Sequence, residues 1–510
     1  MLVIISDLHL TDGSSGATIS PGAFQLFAQE LADLAHSASW RSDGSYRPID
    51  GIDLVLLGDV LDPIRSARWL HGTAVRPWTN IRSPQLAGFL QNVTDAILKH
   101  NEPALKVLRS LAAGGLRVPQ AATKAGTFDS AMTSLPVRIH YMVGNHDWFY
   151  HIGTSAFDPV RETIIRQMGL ANRANVPFPH DPAEQGELLQ LMRRHRVFAR
   201  HGDIFDPFNF SGDRDASSLG DAIVIELLTR FAVQMDAELG QDLPVATLLG
   251  LRELDNVRPL MLAPVWIDGL LERTCPRQAL RTQVKKVWDR IADDFLALDF
   301  IRAQDTWNPL DLVDGLQAAL KFSQRVSLGT ASKIVDLITR LQGTTNESFY
   351  PQALREPEFR NRRAKHIVYG HTHFAETVPL DASFSEGYVL NQVYFNSGTW
   401  RRVHRQTRYS TAEHEFIAAE CLTYLAFFQA DERNGRPYET WSGTLGINPT
   451  EVQVHRVDAP SGRRVPAPLG MADEGYSAPA APASVIPGPH FGKTSLERGA
   501  RSEELGADRE

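Results

Sequence analysis

The chain has 510 residues, 43% of them hydrophobic, the composition of a globular protein and not of a disordered one. Its net charge of −8, from 52 basic and 60 acidic residues, gives no clear nucleic-acid surface and no reason to expect attachment to an anionic membrane. Two cysteines far apart in sequence, Cys275 and Cys421, exclude a disulfide framework and a cysteine-based zinc site, so any bound metal takes oxygen and nitrogen ligands.

The first residues, MLVIISDLHL, lack a basic leader region, and their short apolar run ends at once in Asp and His. They read as a buried strand and not a signal peptide. No apolar stretch approaches the roughly 18 residues of a membrane span, so a soluble, cytoplasmic protein is expected. Residues 2–5 therefore form a strand that runs into SDLH. Phe24, Leu26, Phe27, Leu31 and Leu34 share one face of an amphipathic helix. Residues 53–57 form a second strand, ending in GDVLD. Leu86, Phe89, Leu90, Val93 and Ile97 place one helix over 84–113, and the Gly/Ala/Thr-rich stretch 115–135 reads as a loop. Strands at 137–143 and 196–200 lead into GNHD and HGD.

Residues 210–363 have the apolar spacing of a helical insertion, large enough to be a cap. Leu219, Ile223, Leu227, Phe231 and Met235 are in phase, as are Leu280, Val284, Val287, Trp288, Ile291, Phe295 and Leu298, and residues 311–341 continue the helical habit. Strands return at 366–369, before GHTH, and at 393–395, before NSGTW. YVLNQVYF, CLTYLAFF and VQVHRV are further strands, with turn chemistry in DERNGRP. From residue 459 the Pro/Ala/Gly-rich, charged composition is that of a disordered tail, in which SLERGARSEELGADRE can form a transient helix. The expected domains are thus a core in two parts, 1–209 and 364–458, the insertion 210–363 and the tail 459–510.

Five strands deliver Asp, His and Asn at their carboxyl ends, where open α/β sheets place their chemistry. The glycines at 58, 144, 202 and 370 permit tight turns there. The residues are Asp7 and His9 in D-x-H, Asp59 and Asp62 in G-D-x-x-D, Asn145 and His146 in G-N-H-D, His201, and His371 and His373 in G-H-x-H. Imidazole with carboxylate suits Mn²⁺, Fe²⁺ or Zn²⁺ better than Mg²⁺ or Ca²⁺. A paired site needs one anionic ligand able to bridge, and Asn adds an oxygen without further negative charge. The period-two alternation of strands would set both members of D-x-H and H-x-H on one face.

In these five blocks, over roughly residues 1–208 and 364–457, the chain resembles the calcineurin-like metallophosphoesterase superfamily. The resemblance implies an α/β fold, a four-layer αββα sandwich interrupted by the helical insertion, with two divalent metal ions, Mn²⁺ foremost and Fe²⁺ or Zn²⁺ otherwise. It implies that Asp7, His9 and His373 hold one ion, that Asn145, His201 and His371 hold the other, and that Asp59 bridges them. His146 would act on the leaving oxygen or the transition state, oriented by Asp62. The implied substrate is a phosphorylated small molecule or nucleotide-type compound, cleaved at a phosphate ester or anhydride.

Several residues keep a second reading. Asp62 could cap a helix after Pro63. Asp147 is a turn residue or the orienter of a ligand histidine, the latter favoured, and Asp203 and Asp206 are open in the same way. Arg65 and Arg200 are phosphate contacts or, more commonly, salt-bridge partners. His140, His195 and His404 are expected outside the site, and Asn396 and Ser397 as its supports. SDLHL, HGD and an insertion before GHTH are also similar to UDP-2,3-diacylglucosamine pyrophosphohydrolases, which commonly carry Arg in place of His146 and a far shorter insertion. A nuclease of the double-strand-break-repair type would need a basic surface, and a non-catalytic scaffold would typically have lost ligands.

Overall fold

A computed structural model describes residues 1–16, 18–122, 127–258, 260–304, 312–325, 348–385, 388–406 and 416–443, all within one compact unit, Met1–Gln453. The expected strand at 452–457 and the tail 459–510 lie outside the described residues. No helix among the described residues is long and apolar enough to cross a membrane.

The chain opens with β1 (Leu2–Ile5), α1 (Pro21–Ala38) and β2 (Ile52–Leu57). Both strands are buried throughout, as their apolar runs demand of central strands, and the one charged residue, Asp53 of β2, pairs with Arg138 and His140. Ser20 caps α1 by accepting from the Gly22 N–H, with Pro21 in the first turn. The expected single helix over 84–113 is instead two, α2 (Pro84–His100) and α3 (Glu102–Gly114). Asn101 breaks it: its side-chain amide donates to the carbonyls of Thr11 and Ile97, each at 2.8 Å. Pro103, in the first turn of α3, cannot continue the α2 ladder.

The expected loop over 115–135 is a hairpin, β3 (Leu116–Ala121) and β4 (Phe128–Leu135). Only Leu116, Val118 and Leu135 of its two strands turn inward, so the Ser, Thr and Asp on its wet face hid the strands. Next come β5 (Val137–Met142), α4 (Asp158–Met168), α5 (Gly186–Arg194) and β6 (Val197–Ala199).

The described residues of 210–363, the expected insertion, are mainly helical. Leu219–Ala222, a π-helical stretch Ile223–Thr229 and Arg230–Leu239 follow one another, and Gln278–Leu296 packs against them. Phe231, Met235, Val284, Trp288, Ile291 and Phe295 form its interior. Leu312–Arg325 is helical as expected, whereas 326–341 lies outside the described residues. Among the described residues one element departs from the helical expectation: a two-residue strand, β7 (Val257–Arg258).

The chain then forms β8 (His366–Tyr369), β9 (Glu376–Ser385), β10 (Tyr388–Asn396), β11 (Val403–Gln406), β12 (Phe416–Ala419), β13 (Leu422–Phe427) and β14 (Tyr438–Gly443). The result is a mixed α/β protein with several sheets. A five-stranded sheet has the order β14-β13-β1-β2-β5 and a four-stranded sheet the order β6-β8-β10-β9. Leu2, Ile4, Val55 and Leu57 of the first meet Val197, Ala199, Val368 and Phe395 of the second in one apolar cluster. The other face of the five-stranded sheet, through Val3, Ile5, Leu54 and Leu56, packs on α1 to α4. Phe198, Ile367 and Tyr394 on the far side of the second sheet meet Phe349, Ala353 and Phe359.

β1, β2 and β5 are mutually parallel, and so are β6, β8 and β10. Each set therefore has its carboxyl ends on one edge.

Candidate metal centre

Asp7 and His9 follow β1, Asp59 and Asp62 follow β2, and Asn145 and His146 follow β5. His201 follows β6, and His371 and His373 follow β8. Backbone bonds lock these ends together. The Asp7 N–H donates to Gly58 O at 3.1 Å, His9 N–H to Asp59 O at 2.8 Å and Gly370 N–H to His201 O at 2.8 Å. The His371 N–H donates across from the second sheet to Asp7 Oδ2 at 3.1 Å.

The backbone at these positions is not extended. φ is positive at Asp7 (53°), His9 (45°), Asp59 (51°), His371 (69°) and His373 (58°). Strand alternation is therefore not what turns both members of D-x-H and H-x-H inward; left-handed turns beyond the strands do so. Such conformations cost about 1–3 kcal/mol each and persist where surrounding structure over-determines them, typically at functional sites. The glycines divide into two kinds. Gly58 has φ +82°, as its turn requires, and a Cβ there would fall 2.5 Å from His201 Nδ1. At Gly144 and Gly370 φ is ordinary, and the expected need for a turn residue gives way to crowding: a Cβ would collide with Asp59 Oδ1 or Asp7 Oδ2.

Two largely buried groups result. Asp7, His9, Asp59 and His373 offer donor atoms within 4.8 Å of one another, and so do Asp59, His201 and His371. Asp59 belongs to both. His373 Nε2 lies 2.9 Å from His9 Nε2 and 3.3 Å from Asp7 Oδ1. In the second group His201 Nε2 lies 3.3 Å from Asp59 Oδ2 and 3.2 Å from Asn145 Oδ1, and His371 Nδ1 lies 2.9 Å from the same Asn145 oxygen.

Acceptors converge here. His201 Nδ1 lies 3.0 Å from the Leu57 carbonyl, which can only accept, so Nδ1 carries a proton and a neutral ring turns a lone pair on Nε2 toward two oxygens. His9 Nδ1 donates to Asp62 Oδ2 at 2.8 Å, which leaves its Nε2 lone pair facing the cluster. The Asn145 amide nitrogen donates away, to Asn209 Oδ1 at 3.1 Å. Lone pairs of N and O gathered at a largely buried site are taken up by a proton or by a cation, so these residues fit bound metal ions.

The electrostatics agree. Burial alone would lower the His201 pKa, but the Asp59 and Asp7 carboxylates outweigh it and hold it well above the usual range. Burial alone would raise Asp59, but His201 and His146 hold it well below the carboxylate range. Asp7 is likewise held low against its burial, by His201 and His373. A negative field that retains a proton on imidazole also attracts a metal cation.

Around this centre Asp62 serves two histidines, with Oδ2 on His9 and Oδ1 on His146 Nδ1 at 2.9 Å. It also accepts from the Arg65 N–H at 3.2 Å, so it caps the turn after Pro63 while orienting both rings. The His146 N–H donates to Asp59 Oδ1 at 2.8 Å. Burial opposes the charged form of His146, yet Asp62 and Asp59 push its pKa up to about 9. Asp206 Oδ2 lies 3.0 Å from His371 Nε2, so it orients that ring, whereas Asp203 pairs with Arg214.

Asp147 departs from the favoured expectation and hydrogen-bonds to none of the histidines of the two groups. It accepts from the N–H groups of Val60 and Gly144 and from the Tyr141 hydroxyl, bracing one loop on the other. Arg65 pairs with Asp255, and Arg200 with Asp181 and Glu356, so both are salt-bridge partners. His140 pairs with Asp53, His195 with Gln429 and His404 with Glu253, all outside the two groups. Asn396 donates to Gly370 O, and Ser397 lies 2.6 Å from Ser6 Oγ, which itself bonds Asp7. The sequence reading missed Ser6, Asn209 and Arg258; Arg258 Nη2 lies 3.0 Å from His373 Nδ1. Only Ser6 carried a signal, its place beside Asp7 at a strand end.

Where the insertion begins, Asp215 lies 2.7 Å from His151 Nδ1, and Glu184 lies 3.5 Å from Nε2. Burial lowers the His151 pKa, but Asp215 and Glu184 outweigh it and raise it to about 9. The stabilisation by its charged form is full below the unfolded value near 6.5 and is lost as pH rises through about 9. The melting-temperature gap between the wild type and His151→Gln should therefore be widest near pH 6 and close toward pH 10. A gap that is constant with pH would mean the neutral ring holds this joint.

Comparison with protein-family models, curated proteins and solved structures finds no match to this chain. The fold and the site define a mixed α/β protein with a buried histidine–aspartate centre that could hold metal ions.

Proposed function

We propose that the chain is a metal-dependent hydrolase of a phosphate ester or anhydride, built as a four-layer αββα sandwich of the calcineurin-like metallophosphoesterase kind. The observation that carries this reading is Asp59, whose carboxylate is shared by two donor groups contributed by the edges of two packed sheets. In this reading Asp7, His9 and His373 hold one divalent cation, Asn145, His201 and His371 hold a second, and Asp59 serves both. Mn²⁺ fits the mixed imidazole and oxygen donors best, with Fe²⁺ or Zn²⁺ next. Such a pair, when bound, supplies Lewis acidity and activates water near neutral pH.

The chain's own residues do the rest. His146, with Nδ1 fixed on Asp62, presents Nε2 to protonate the departing oxygen. Its raised pKa keeps that proton in place at neutral pH. Asp206 and Asp62 fix the ring planes of His371 and His9, and the neutral Asn145 limits repulsion of an anionic substrate.

The test is hydrolysis by the Mn²⁺-loaded protein, with metal content read by elemental analysis. The panel is p-nitrophenyl phosphate, bis-p-nitrophenyl phosphate and nucleotide-sugar diphosphates. Chelator-sensitive turnover with about two metals per chain is expected. A chain that takes up no metal and cleaves nothing is a scaffold.

A further inference from the structure

Among the described residues of 210–363 the one strand is β7, which pairs in parallel with β11, His404 opposite Val257 and Arg405 opposite Arg258. That pairing pins Arg258 at the metal centre. Its Nη1 donates to the carbonyls of Asp255 at 2.6 Å and Val257 at 3.0 Å, which clamp the guanidinium to its own backbone. Its Nη2 is left to donate to His373 Nδ1 at 3.0 Å. No carboxylate among the described residues pairs with Arg258. The neighbouring segment is tied down as well, through Asp255 and Asn256 to Arg65 and through Glu253 to His404.

The contact with His373 is compatible only with a metal-free ring. A guanidinium has donors and no acceptor. A neutral histidine that ligates through Nε2 carries its proton on Nδ1, so two donors then face each other. Metal uptake by His373 thus leaves Nη2 without an acceptor while Nη1 stays clamped. A second cation nearby is also short of partners. Arg401 is 5% exposed, and its Nη1 is buried with no hydrogen-bond partner. It stands two residues after Thr399, whose hydroxyl donates to Asp7 O at 2.7 Å. An unpaired buried guanidinium is costly and calls for an anion.

We propose that Arg258 is the substrate-binding residue by which the insertion selects a doubly charged phosphoryl group, a phosphomonoester or the terminal phosphate of a diphosphate, over a phosphodiester. This rests on the hydrolase reading above and names its substrate class. A diester offers two non-bridging oxygens, which a cation pair can engage. A monoester offers a third, carrying additional charge, and a guanidinium donor is suited to it.

The experiment compares wild type, Arg258→Ala and Arg258→Lys, loaded with Mn²⁺, by kcat/KM on p-nitrophenyl phosphate and bis-p-nitrophenyl phosphate. Binding of inorganic phosphate is measured alongside by calorimetry. Losing one charge-assisted hydrogen bond should lower monoester kcat/KM in the Ala variant roughly 10- to 100-fold and weaken phosphate similarly. Metal content should be unchanged and the diester rate within about threefold, because a diester has no third oxygen to lose. The Lys variant should recover part of both losses, and it carries the test if the Ala variant does not fold. Equal loss on both esters, or wild-type phosphate affinity in the variants, overturns the proposal. If the metal-loaded wild type cleaves neither ester, the hydrolase reading fails, and phosphate affinity alone decides for or against Arg258. A chain that takes up no metal defeats both.

Discussion

Asp59→Asn should remove metal from both halves of the centre at once and bring turnover to background. The carboxylate lies 3.3 Å from His201 Nε2 on one side and 3.7 Å from His9 Nε2 on the other, so its charge serves two clusters. Asparagine keeps the volume and removes the charge. It also keeps the fold: φ is 51° at this position, and Asn tolerates the left-handed region about as well as Asp. Its Oδ1 can still accept from the His146 N–H, as Asp59 Oδ1 does at 2.8 Å. The loss should therefore appear in metal content and rate, with little loss of secondary structure. By contrast, Asn145→Ala removes a neutral oxygen donor from beside one group only and should cost less than the whole centre. If Asp59→Asn retains two metals per chain and normal turnover, the shared carboxylate is not a bridge.

Much of this site was legible because its parts lie at strand ends, and a buried strand announces itself by an apolar run that stops at Gly, Asp or His. LVII before SDLH and HIVY before GHTH are such runs, and both are fully buried. What did not show is backbone conformation. Nothing in D-x-H says that Asp7 and His9 have positive φ, because that follows from hydrogen bonds to Gly58 and Asp59, fifty residues away. The hairpin over 116–135 escaped for another reason: one face is wet, so its residues follow solvent and not a core. The break at Asn101 was readable in Asn-Glu-Pro, where an Asn cap precedes a proline that cannot continue a helix, but the apolar phase of Leu86 to Ile97 hid it. Asp206 and Arg258 became significant only through contacts across 165 and 115 residues. No spacing rule reaches that far.

His146→Ala should separate metal binding from chemistry. His146 contributes no atom to either cluster containing Asp59; its place is with His9 and Asp62, as the second ring on that carboxylate. Its ring meets His9 edge-on at a centroid distance of 4.7 Å and is partly open to solvent, where a substrate can approach. Removing it should leave the metal content intact and lower kcat by about 10²-fold or more, the usual scale for a lost general acid. The loss should depend on the leaving group. p-Nitrophenolate departs with little need of a proton and should suffer least, whereas an alkyl phosphate should suffer most. The pH profile gives an independent reading. Burial opposes the charge on His146, but Asp62 and Asp59 raise its pKa to about 9, so the acid form persists through neutral pH and is lost as pH rises through that value. Asp62→Asn takes away the nearer carboxylate, so the proton should leave at lower pH and the alkaline limb of kcat should move the same way. Because Asp62 also orients His9, that variant should be compared at matched metal content. An alanine variant that loses metal would make His146 a ligand. One that slows all leaving groups alike would remove its role as proton donor.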